Sequence, residues 1–153
     1  MTDQTPPTPQ QTTRTLRIIW FASIASQVIV LVVVALIGRS HQLPRAAPDT
    51  IDMLFYTSLA VLVGCVFLAH VFRMQTYKKH WEVNAVTPQG YMKGNLIFWC
   101  LMELAALFGL VVVFMASALV PYITAPAVAM GVTASTWPSG APMKPAEPEL
   151  LNR

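Results

Sequence analysis

Charge is what this chain has least of. Of its 153 residues, ten are Lys or Arg and seven are Asp or Glu, 11% in all, where soluble domains carry roughly 25%. The scarcity is uneven too, because every charge but Glu103 lies outside the long apolar stretches. So few and such clustered charges cannot solvate a globule of this size, which excludes an ordinary soluble domain. Cysteine is nearly absent. Cys65 and Cys100 both sit inside apolar runs and form no secreted disulfide framework. Haem-attachment, phosphate-loop and nucleophile-elbow motifs are missing. His41, His70 and His80 have no metal-ligand spacing with one another or with the cysteines. The expectation is a protein that is not an enzyme, with no cofactor, no metal site and no catalytic residue. A net charge of +3 does not point to nucleic acid either, since the basic residues flank apolar spans and do not form one soluble face.

What is present is hydrocarbon. Hydrophobic residues make up 55% and the mean hydropathy is +0.54. Residues 1–13 form a polar tail with three prolines, expected to be disordered. Arg14 and Arg17 then precede an uncharged run from Ile18 to Ile37. At ~1.5 Å per residue, such a run matches the ~30 Å hydrocarbon core. A cleaved signal peptide is the competing reading, but its apolar region is about 7–15 residues, so a retained helix is expected over about 18–37. A short polar loop leads to a second run, 53–72, closed by Arg73. Residues 73–93 read as a basic loop with interfacial Tyr77, Trp81 and Tyr91. The apolar stretch from Gly94 to Thr136 is too long for one span and suits two. Pro121 predicts a break near 117–121, with helices over about 95–118 and 121–137. Residues 138–153 read as a second disordered tail. The expected architecture is all-α: a polytopic four-helix membrane bundle over 14–137 with polar tails.

With four spans, eight of the ten basic residues fall on the side shared by the N-terminal tail, the second loop and the C-terminal tail. The positive-inside rule then places both termini in the cytoplasm.

Glu103 is the one acid inside a span. It lies nine residues past Gly94, roughly 13 Å into the membrane at helical rise. A carboxylate at that depth is costly and marks a functional-site candidate facing a bundle interior, a cavity or a partner. Hydrocarbon disfavours the charged form, so a protonated resting state is expected. The same depth on the first helix is Gln27, with Ser23 and Ser26 beside it. Gln27 can donate to a carboxylate or accept from a carboxylic acid. Glu103 and Gln27 are therefore the candidate proton- or ion-binding pair, and interhelical glue is the plainer alternative. Ala22/Ser26, Ala60/Gly64 and Ala105/Gly109 have small-xxx-small spacing, which marks Gly64, Ala105 and Gly109 as helix-packing positions.

The stretch from Met102-Glu103-Leu104 through Phe108-Gly109-Leu110 to Val111-Val112, followed by Pro121, resembles the ion-carrying helix of the rotary ATPase c subunit, the proteolipid. That family places an acid at mid-membrane and an aromatic-Gly pair five and six residues later. The resemblance implies that Glu103 carries H⁺ or Na⁺, with Gln27 imitating a glutamine that assists sodium in some members. Leu104 stands where sodium-binding forms have serine. The overall plan, ending in Trp137-Pro138, is also similar to a group of uncharacterised bacterial four-helix membrane proteins with such a third helix. This implies the bacterial cytoplasmic (inner) membrane, with the lipid bilayer, other membrane subunits or a homo-oligomer as partners. The expected role is an accessory or structural subunit of a membrane complex; the alternative is proton or ion translocation through Glu103.

Overall fold

The computed structural model describes residues 7–38, 47–82 and 84–145. Three long helices dominate: α1 (Pro9–Gly38), α2 (Pro48–Lys79) and α3 (Pro88–Ala116). Each is long and apolar enough to cross a membrane. A fourth, α4 (Thr124–Ser135), is shorter, and a single 3₁₀ turn (Ala141–Met143) follows it. The chain is thus an all-α helical bundle, as the apolar runs predict.

Local chemistry sets the ends. Thr8 and Gln11 form a reciprocal cap on α1: Gln11 N donates to Thr8 Oγ1 at 3.3 Å, and Thr8 N donates to Gln11 Oε1 at 3.1 Å. This is the Thr-x-x-Gln capping box, completed by Pro9 at the first helical position. The N-terminal tail is therefore corrected: residues 9–13 are helix, and the rest of the tail before Pro7 lies outside the described residues. Helix α2 starts at Pro48 with Asp49 in its first turn and ends on Lys78 and Lys79, which complements the helix dipole at both ends. It runs well past Arg73, and α3 begins at Pro88, capped by Thr87. The expected 21-residue basic loop shrinks accordingly to a hairpin in which Trp81–Glu82 (β1) pairs antiparallel with Ala85–Val86 (β2). Asn84 takes φ 61° in its turn, a conformation asparagine tolerates.

Helix α3 is the centre of the bundle. Fourteen of its 29 residues are buried, against three of 30 in α1, namely Thr12, Leu16 and Gln27. Phe98, Trp99, Met102, Ala105 and Ala106 form the core with Leu62, Cys65 and Ala69 of α2, Leu16 of α1 and Ala125 and Ala129 of α4. The exposed residues of α1 and α2, among them Phe21, Ile29, Val63 and Phe67, give the bundle a hydrocarbon-facing exterior.

Helix α4 corrects the expected fourth span. Its 12 residues reach only ~18 Å at helical rise, short of the ~30 Å core. Ser117 leaves α3 in the left-handed conformation, φ 48°, and the chain re-enters at Thr124. Beyond Ser135 the return is completed by irregular backbone. The last turn of α4 and that segment are tied down: Trp20 Nε1 donates to Thr133 O at 2.9 Å, Trp99 Nε1 to Thr136 Oγ1 at 3.1 Å, and Gly140 N to Tyr91 Oη at 3.2 Å. Residues 138–145 are therefore docked, with Met143 buried, and are not the disordered tail expected from composition. Residues 146–153 of that tail lie outside the described residues.

These contacts bring four chain segments to one end of the bundle. Arg17 Nε reaches Pro138 O at 3.5 Å, and its guanidinium lies 5.1 Å from the Trp137 ring centroid. Tyr91, which holds Gly140, stacks on Tyr77 at 5.8 Å. The start of α1, the end of α2, the start of α3 and the C-terminal segment thus meet. Arg14, Arg17, Arg73, Lys78, Lys79, Lys93 and Lys144 belong to these segments, while Asp49 and Asp52 open α2 at the other end.

Candidate functional site

Glu103 lies on α3 at the seam with α1, about 15 Å along the helix from Lys93. Its nearest polar neighbour on the facing helix is Ser26, whose Oγ donates to Glu103 Oε1 at 3.1 Å. The same hydroxyl lies 2.9 Å from Ser23 O. One hydroxyl proton thus faces two acceptors. If Glu103 is ionised, Ser26 can satisfy only one of them fully. If Glu103 carries a proton, the acid can donate to Ser26 Oγ while Ser26 donates to Ser23 O. The neutral acid therefore satisfies both contacts at once.

Gln27 is 1% exposed. Among the described residues it does not bond to Glu103. Its Nε2 reaches Ser23 Oγ at 3.5 Å, and its Oε1 is buried with no partner among the described residues. The structure thus brings together Ser23, Ser26 and Glu103, with Gln27 attached through Ser23. Ser26, not Gln27, is the direct partner. An uncompensated amide carbonyl in such a place costs about 1–3 kcal/mol, so the site has acceptor capacity to spare.

Glu103 is half-buried. It borders an outward stripe of α3 formed by Cys100, Leu104, Leu107 and Val111, all exposed. The carboxyl therefore sits between the α1–α3 seam and a surface open to lipid or to another helix. Among the described residues, no Lys or Arg lies at its depth on α1, α2 or α3.

The packing positions divide. Ala105 and Gly109 are buried on α3. A Cβ at Gly109 would lie 2.5 Å from Pro126 Cδ, so α4 rests directly on the glycine. Gly64 faces outward, and a Cβ there would meet nothing within 4 Å. Its assignment as a packing residue within this chain is corrected, because Ala60 and Gly64 share the exposed face of α2. Cys65 is buried and Cys100 exposed, so the two thiols share a depth but not a face. His70 is exposed and packs edge-on against Phe98 at 6.0 Å.

The residues that sequence reasoning missed lie at the basic end. Asn95 is fully buried; its Nδ2 donates to Tyr77 Oη at 3.0 Å and to Tyr91 O at 2.8 Å. Arg73 Nε also donates to Tyr77 Oη, at 3.1 Å. Arg73, Tyr77, Asn95 and Tyr91 form one polar seam between α2 and α3. The visible signal was an asparagine one turn inside an interfacial tyrosine, at the start of an apolar run.

Comparison of the chain with protein-family models, curated proteins and solved structures finds no match in any of the three.

Proposed function

We propose that the protein is a small, non-enzymatic accessory subunit of a membrane complex, and that it meets its partner along the α3 stripe beside Glu103. The observation that carries this reading is the half-buried carboxyl itself. Among the described residues it has one side-chain partner, Ser26, and it borders an exposed face. An intramembrane acid with unused acceptor capacity is expensive unless a neighbour meets it, and the neighbouring exposed stripe is where another subunit's helix can do so. The collection of basic residues at one end supports an orientation with both termini in the cytoplasm, and the resemblance noted above supports a bacterial inner membrane. The test is purification in mild detergent. A stoichiometric partner that cross-links at Leu104 or Leu107 is expected; a lone, stable homo-oligomer with no such partner overturns the reading.

A second reading is favoured by the Ser23–Ser26–Glu103 geometry. There Glu103 binds a proton reversibly, since the neutral acid completes both hydrogen bonds of Ser26. Carbodiimide labelling of Glu103, together with a pH-dependent carboxyl band in infrared spectra that vanishes in Glu103→Gln, is the expected result. Absence of both removes this reading and leaves the first standing.

A further inference from the structure

A groove of about 650 Å³ runs between α2 and α4. Leu62, Val63, Val66, Phe67 and Val71 of α2 and Val128 and Val132 of α4 line it, with His70 as the one polar residue among them. From Leu62 to Val71 the groove extends about 14 Å along the helix. That is close to half of the ~30 Å hydrocarbon core, or one leaflet.

A guanidinium lies just beyond the His70 end of the groove, outside its lining. His70 lines the groove and packs against Phe98. Arg73, one helical turn further toward the basic end, places its guanidinium 5.4 Å from the same Phe98 ring and 5.4 Å from the Tyr77 ring. Its Nε is fixed by Tyr77 Oη. Among the described residues these contacts hold Arg73, and none is with a carboxylate. A half-buried guanidinium oriented by two rings, with no hydrogen bond at its terminal nitrogens among the described residues, is prepared for an anion.

We infer that this groove binds an anionic phospholipid, with one acyl chain along Leu62–Val71 and Val128–Val132 and the phosphate on Arg73. The occupant follows from the match of length to one leaflet, from walls that offer an acyl chain almost nothing polar, and from charge complementarity at the end where a headgroup lies. A protein helix would fill the apolar part equally well but would leave Arg73 without an anion. The inference is independent of Glu103, which lies on the opposite, α1-facing side of α3.

The test uses the full chain in mild detergent, titrated with phosphatidylglycerol or phosphatidylcholine and followed by native mass spectrometry and thermal unfolding. Phosphatidylglycerol is expected to remain bound and to raise the unfolding temperature, with phosphatidylcholine much weaker. Arg73→Gln should weaken phosphatidylglycerol binding roughly fivefold or more, the loss of one headgroup cation. Val128→Trp, at an exposed position, should weaken it by filling the groove without touching the charge, and serves should Arg73→Gln fail to fold. Lys78→Gln with Lys79→Gln is the control for diffuse surface charge and should have a smaller effect than Arg73→Gln. Equal binding of the two lipids, full binding in Val128→Trp, a loss confined to the lysine variants, or a dimer contact covering Val63 and Phe67 would each overturn the inference.

Discussion

Substituting Gly109 by alanine tests the central packing argument, because two effects of known size oppose each other there. A helix-interior Gly→Ala change gains about 0.5–1 kcal/mol by restricting the unfolded chain. The added methyl at Gly109 would stand 2.5 Å from Pro126 Cδ, 3.1 Å from Pro126 N and 3.3 Å from Ala125 Cβ. The first two belong to a ring and its backbone, which cannot rotate away, so all of α4 must shift. Overpacking of this kind costs about 1–3 kcal/mol, leaving a net loss of about 1 kcal/mol for Gly109→Ala. Gly64→Ala meets open space and should keep the gain. The assay is unfolding in mild detergent, read by tryptophan fluorescence. Trp20 and Trp99 both bond to the end of α4, so displacement of α4 should also change their emission in the folded state. If Gly109→Ala is as stable as Gly64→Ala and leaves the emission unaltered, the close contact of α3 and α4 is refuted.

Gly94→Ala should also destabilise, by about 1 kcal/mol, because the new Cβ would lie 2.6 Å from Tyr77 Cε1; denaturant unfolding measures it. Tyr91→Phe removes the acceptor for Gly140 N, at a cost of about 1 kcal/mol, and should speed proteolysis near Lys144 while α1–α3 stay intact. Thr8→Ala breaks the capping box and should weaken the first turn of α1 by about 1 kcal/mol, visible as faster amide exchange at Gln11 and Thr12 with little change deeper in the helix.

The three long helices were legible because an uncharged run of some twenty residues has few alternatives in a membrane. Helix α4 was less so. Total apolar length counts residues but does not say how many are helical, and the end of α4 and the return after Ser135 are held from other helices: Trp20 and Trp99 donate to Thr133 O and Thr136 Oγ1, and Tyr91 Oη accepts from Gly140 N. The start of α1 was visible as Thr-Pro-Gln-Gln, but the proline- and threonine-rich composition around it read as disorder. Depth counting set Glu103 level with residues 23–27 of the first helix. It could not choose between Ser26 and Gln27, since neighbouring residues point about 100° apart at 3.6 per turn and rise along an axis carries no information about azimuth. Gly64 and Gly109 share the same spacing pattern for the same reason, yet face opposite ways.

The brevity of α4 bears on how the protein enters the bilayer. A 12-residue helix followed by irregular backbone is a poor substrate for independent insertion, because its unpaired peptide groups would meet lipid before any partner. Helices α1, α2 and α3 carry enough hydrocarbon to partition one by one or as hairpins. The last segment can settle only onto a surface already assembled, with Gly109 as its seat and the indoles of Trp20 and Trp99 as its anchors. The side on which the C-terminal segment finishes is then decided by folding within the membrane, after translation of the first three spans, and a defect in the α3 seat becomes an error of topology.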